Sequence, residues 1–148
     1  MKEVIIFTDG SCDTTTGNGA WAFLLDYNGH RKQDSAFVPA TTNNRMELSA
    51  AVEALSSLKE PCRVLLTTDS QYLKKAFTDG WLENWQRNGW KTANKKDVKN
   101  KDLWLKLLKL ANKHELNWRW TKGHAGQEEN EIVDKLALNT RKRGAKQR

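Results

Sequence analysis

Four acidic residues stand where hydrophobic periodicity expects burial. Asp9 ends the apolar run in "VIIFTDG", and Asp69 ends a second run in "RVLLTTDSQ". Glu47 shares a helical row with Ala51, Ala54 and Leu58, so it points along the buried side. Asp134 has Ala137 and Leu138 at its i+3 and i+4 positions. Each has an ordinary explanation. Asp9-Gly10 is a good turn dipeptide. Asp69 or Ser70 could cap a helix. Glu47 lies near a helix N-terminus, where the dipole tolerates it, and Asp134 could pair with Lys135 or Arg141. Together they point elsewhere. Clustered carboxylates repel and raise one another's pKa. A hard, oxygen-seeking divalent ion such as magnesium removes that conflict. With three His and no Cys/His cluster, structural zinc is excluded.

The elements that must carry these acids follow from pattern. Glu3 to Thr8, Ala20 to Tyr27 and Arg31 to Val38 read as strands, the last two joined by an Asn28-Gly29 hairpin. Asn43 to Leu58 has helical spacing, and Glu60-Pro61 ends that unit. Arg63 to Thr68 is a strand, Ser70 to Phe77 a helix, and "GWLENWQRNGW" opens a further short helix. Asp102 to Lys113 is helical, Leu116 to Thr121 the last strand, and Glu128 to Lys142 the last helix. Three strands in a meander, followed by strands joined through helices, give an α/β fold. Its mixed sheet has right-handed crossovers and helices packed on it.

One domain is expected, over residues 1–142, with a basic tail at 143–148 that frays. A chain of 148 residues with 38% hydrophobic content and seven Trp can fill a single core. No apolar run reaches the roughly 20 residues of a membrane span. The N-terminus does not read as a signal peptide. Cys12 and Cys62 match no metal or CxxC spacing and read as free thiols in a reducing compartment, here the cytoplasm.

The formal charge of +7 suits a polyanionic partner. Its distribution is more telling. Between Gln86 and Lys101, Arg87, Lys91, Lys95, Lys96, Lys99 and Lys101 face one acid, Asp97. Lysines interleaved with Trp81, Trp85 and Trp90 suit phosphates and sugars. A solvated helix face, with Trp81, Trp85 and Trp104 in the core, is the plainer alternative.

"FTDGSC", "TTNNRMEL", "TTDSQY", "WTKGHAG" and "ENEIVDKLA" occur here in the order and spacing of type 1 ribonuclease H. From Val4 to about Leu138 the chain resembles the bacterial members of that family. The resemblance implies a ribonuclease H-like fold, a five-stranded mixed sheet flanked by helices, with Asp9 and Asp69 on adjacent central strands. It implies an endonuclease that hydrolyses the RNA strand of RNA–DNA hybrids, leaving 5′-phosphate and 3′-hydroxyl ends. Asp9, Glu47, Asp69 and Asp134 would hold two Mg2+ ions, with Mn2+ able to substitute, and Asp9 would bridge them. His124 would assist proton transfer or product departure; without the family match it is a surface histidine. Segment 81–101 would be the family's basic handle, gripping substrate through Trp81, Trp85, Lys91, Lys95, Lys96 and Lys99. Gly10, Ser11, Cys12, Asn43, Asn44 and Gln71 would line the minor groove. Gly10 would also let a nucleic-acid backbone come close, and Thr42 would help hold a DNA phosphate. A monomer is expected, with no membrane partner.

Two stretches depart from the family pattern: "DTTTGNG" replaces a Gly-Asn-Pro-Gly-type loop, and Gln127-Glu128 stands where His-Pro is common. Two other functions remain open from sequence. One is a hybrid-binding module without catalysis, and the other a different nuclease on the same fold, such as a junction resolvase or integrase core.

Overall fold

A computed structural model describes residues 1–122 and 128–147. The strands are β1 (Lys2–Cys12), β2 (Gly19–Tyr27), β3 (His30–Val38), β4 (Cys62–Thr68) and β5 (Glu115–Trp120). The helices are α1 (Asn43–Ser56), α2 (Gln71–Thr78), α3 (Trp81–Arg87), α4 (Lys101–Lys113) and α5 (Glu128–Lys146). The strands form one sheet in the order β3-β2-β1-β4-β5. The first three are antiparallel, whereas β1–β4 and β4–β5 pair in parallel. The expected mixed sheet is therefore the observed one. Asn28 and Gly29, both at positive φ, close the expected two-residue hairpin.

Alternation along β1 sorts its side chains between two layers. Val4 and Ile6 enter the large core with Leu48 and Leu55 of α1, Leu66 of β4 and Trp104 and Leu107 of α4. Phe7 points the other way, against Leu24 and Val133 of α5. Asp9, two residues beyond Phe7, shares the α5 face, while Gly10 faces α1.

Two boundaries differ from the sequence reading. First, β1 does not stop at Thr8; it continues to Cys12, held by β2 alone through Asp9↔Ala22 to Cys12↔Gly19. Its pairing with β4 ends at Phe7↔Thr67. Asp9 thus sits inside a strand, at the point where the neighbouring strand departs. Second, the basic tail is not frayed from residue 143. Helix α5 runs to Lys146, because Gly144 is buried against Phe37 of β3. Ser35 Oγ and Thr140 Oγ1, 2.7 Å apart, fasten the same seam.

Candidate active site

The sheet and two helices bring the acids together from opposite layers. Asp9 from β1, Asp69 from the residue after β4, and Asp134 from α5 place carboxylate oxygens within 4.8 Å of one another. Glu47 arrives from α1, on the other face. It is not part of that tight trio and lies beside Asp69 and Ser70.

Gly10 makes this approach possible. A Cβ at Gly10 would collide with the Glu47 backbone nitrogen and stand 2.6 Å from the Met46 carbonyl carbon. On its Cβ side, Gly10 is covered by the first turn of α1. This is a close approach that no other residue allows.

The ordinary explanations for the acids now separate. Helix α2 is capped by Ser70, whose hydroxyl accepts from the Leu73 N–H at 3.1 Å, so Asp69 is not the cap. Arg141 reaches β1 and the loop after it: its Nε donates to Ser11 Oγ at 2.9 Å, and its Nη1 lies 3.7 Å from Asp13.

Electrostatics follow from crowding. Burial pushes the Asp9 carboxyl up to about 9, helped by its hydrogen bond with Asp134 and the charges of Asp134, Asp69 and Glu47. Glu47 is also raised, first by burial and then by Asp69, against the opposing hydrogen bonds of Ser70 and Asn43. Asn43 Nδ2 donates to Glu47 Oε1 at 2.7 Å, one helical turn away. An all-oxygen, acidic donor set in which Asp9 and Glu47 are raised by burial and by their acidic neighbours fits a hard divalent cation, which would offset the repulsion.

A family model described as RNase H matches residues 1–142. The chain belongs to the ribonuclease H family. That is a family of metal-dependent nucleases. It is 52% identical over 144 residues to a ribonuclease H of Oleidesulfovibrio alaskensis, covering 97% of this chain and 94% of that one. It is 49% identical over 146 residues to the ribonuclease H of Acetivibrio thermocellus, covering 99% of both. A ribonuclease H of Thermus thermophilus is 55% identical over 136 residues, covering 92% of this chain and 82% of its own. Among solved structures, LC9-RNase H1, a type 1 RNase H with the type 2 active-site motif, superposes with a TM-score of 0.83. It is 32% identical over 96% of this chain and 73% of its own.

Against this ribonuclease H frame, the other expected site residues take definite positions. Thr42 caps α1, accepting from the Arg45 N–H at 3.1 Å. Asn44 and Gln71 are exposed in the first turns of α1 and α2. The Ser11 hydroxyl is engaged by Arg141. The Cys12 thiol points to the Thr41 carbonyl at 3.6 Å, and burial raises its pKa. Cys12 and Cys62 are both free thiols, as expected. His124 lies outside the described residues.

Segment 81–101 consists of α3 and a loop closed by one antiparallel bridge. Lys91 and Asp97 form its bridge, with Nζ 2.6 Å from the carboxylate. Val98 is buried and donates its N–H to the Trp90 carbonyl, which anchors the loop. Lys95, Lys96 and Lys99 are exposed. Trp81 and Trp85 are half-buried against the core. Their rings are 5.9 Å apart, and Trp85 also packs on Trp90 and Trp104.

Sequence reasoning missed two groups. Ser70 supports Glu47 as well as capping α2. Arg45 binds both Asp102 oxygens, at 3.0 and 2.6 Å, and Asn100 Oδ1 at 3.2 Å. Asn100 in turn reaches Tyr72. The first had a signal in the Ser-x-x-Leu cap position. The second spans 57 residues and had none.

Proposed function

We propose that this chain hydrolyses the RNA strand of RNA–DNA hybrids as a Mg2+-dependent endonuclease, a monomer working in the cytoplasm. The single observation that carries this reading is the Asp9–Asp69–Asp134 cluster in a chain that matches the ribonuclease H family over nearly its whole length. Asp9, Asp69 and Asp134, with Glu47 beside them, would hold two divalent ions. When bound, such ions supply an activated water and charge stabilisation for in-line displacement at phosphorus.

The chain's own groups do the positioning. Asp9 is fixed in a strand, and Asn43 and Ser70 orient Glu47. His124 takes the proton-transfer role by its place in "WTKGHAG". Water adds across the P–O3′ bond: a new P–O bond forms and the bond to the 3′ oxygen breaks. The products carry 5′-phosphate and 3′-hydroxyl ends. Lys95, Lys96 and Lys99 meet backbone phosphates, and Asn44 and Gln71 face the minor groove. Together with Trp81 and Trp85 on the DNA strand, these contacts distinguish ribose from deoxyribose.

The test is cleavage of labelled hybrid with Mg2+ or Mn2+, beside single-stranded RNA, DNA duplex and junction controls. RNA cleavage confined to the hybrid is expected. Well-folded protein that leaves the hybrid intact, or cuts DNA junctions instead, would overturn the reading.

A further inference from the structure

One face of α5 changes sign along its length. Residues 131, 134, 135 and 138 line a cavity of about 420 Å³ that includes Asp134. The next two turns of the same face line a second cavity of about 480 Å³. Its walls are Arg141, Lys142 and Lys146 from α5, and Asp13, Thr16 and Asn18 from the β1–β2 loop. Three cations there face one carboxylate. Arg141 lies seven residues past Asp134, so it stands roughly 10 Å further along the same side of the helix.

Two observations show that this basic end is built rather than incidental. The Arg141 side chain is only 19% exposed and is aimed by Ser11 and Asp13. The loop opposite is equally fixed: Asp13 N–H donates to the Asn18 carbonyl at 2.8 Å, and the Thr41 N–H donates to the Gly17 carbonyl at 2.8 Å. The helix beneath stays ordered through Lys146 because Gly144 is seated on Phe37.

We infer that the Arg141–Lys142–Lys146 cavity is a second phosphate grip for the hybrid. It takes backbone phosphates of a strand that leaves the carboxylates along α5. The handle sits elsewhere, between α3 and α4, so the hybrid would be held at two separated places with the cleavage point between them. This rests on the hybrid reading proposed above. An arginine oriented beforehand and two exposed lysines suit phosphate oxygens, by directed hydrogen bonds and by point charge respectively.

The test compares wild type with Lys142→Gln/Lys146→Gln, two exposed residues clear of the acids. Lys32→Gln/Lys113→Gln, of equal charge on β3 and at the end of α4, is the control. On a long hybrid the first variant should raise KM several-fold with kcat unchanged. It should also reduce the salt slope of log KM by about one to two. The control should do neither. Trimming the hybrid on the α5 side of the cleavage point should erase the difference from wild type. Equal effects from both variants, or a KM and salt slope unmoved by the first, would overturn the grip. If Lys95→Gln/Lys96→Gln still weakened binding in that case, the hybrid reading would stand. Wild-type protein that neither binds nor cleaves hybrid would overturn both.

Discussion

Asp9 and Asp102 are the same residue type in opposite surroundings. Asp102 opens α4 beneath the handle, and the Arg45 guanidinium holds its carboxyl below the usual carboxylate range. Asp97, within the handle, is lowered likewise by Lys91. Asp9 sits among Asp69, Asp134 and Glu47, and burial and its neighbours' charges push it up. Around the handle, each of these two acids is matched by a cation within the fold and serves structure. At the rim of the sheet, like charges converge and leave a deficit of positive charge that a bound cation can fill. A carboxylate's surroundings, more than its presence, mark where chemistry is possible.

Substitution at Asp9 should break this contrast most severely. Asp9→Asn removes a charge from the proposed metal cluster, whose electrostatic contribution would be several kcal/mol, and should lower hybrid cleavage by roughly 10³-fold. Binding of the hybrid, measured with uncleavable substrate, should stay within a few-fold. Asp102→Asn, by comparison, should leave the rate near wild type.

Gly10→Ala tests how tightly the two layers must approach. The new methyl meets α1 backbone rather than a flexible side chain. It should destabilise by about 1–3 kcal/mol. A thermal melt should fall by several degrees, and apparent Mg2+ affinity should weaken because Glu47 is displaced. A melt and a metal titration both unchanged would show that α1 adapts without cost.

The pH dependence sharpens the same comparison. Asp9 has a folded-state pKa raised to about 9, above its unfolded value of 3.8. The folded state therefore binds the proton more tightly, and this contribution to stability is fully present below about pH 4. It is lost as pH rises through about 9. Metal-free wild type should lose melting temperature with rising pH across that window relative to Asp9→Asn. For Asp102 the sign reverses: its contribution is present above its unfolded pKa and is lost as pH falls through the lowered folded value. Parallel melting curves for wild type and Asp9→Asn would contradict the assignment.

Handle substitutions should be milder. Lys95→Gln/Lys96→Gln/Lys99→Gln should raise KM several-fold, leave kcat alone and flatten the salt dependence by two to three in slope. Smallest of all is Arg45→Ala. Its ion pair is more than a third exposed, so solvent screening limits the loss to about 1 kcal/mol or less. That corresponds to a drop in melting temperature of no more than about 4 °C.

Much of this was legible before any coordinates. The apolar run "VIIF" and the helical row of Glu47, Ala51 and Ala54 placed β1 and α1, and the row marked which side Glu47 would face. Ala51 and Ala54 are both fully buried. The handle's charge pattern was equally plain, because a solvated lysine needs no partner to be recognised. The strand end at Thr8 and the frayed tail were misread for one reason. Polar composition argues against regular structure until a neighbour supplies the pairing. Strand β2 supplied it to Gly10–Cys12, and Phe37 supplied it to Gly144.

The sequence by itself determined the element order, the four acids and the family motifs, because local periodicity and short motifs are written in consecutive residues. Only the tertiary structure decided that β1 outlasts β4 at Asp9, that Gly10 admits α1, and that Ser70 rather than Asp69 caps α2. It alone turned one face of α5 into a track running from Asp134 to Lys146. The α5 track depends on a contact across more than a hundred residues, between Ser11 and Arg141, and the β1–β4 and Gly10–α1 approaches on contacts between elements distant in the chain. Sheet register and helix packing create such contacts, and no local pattern encodes them.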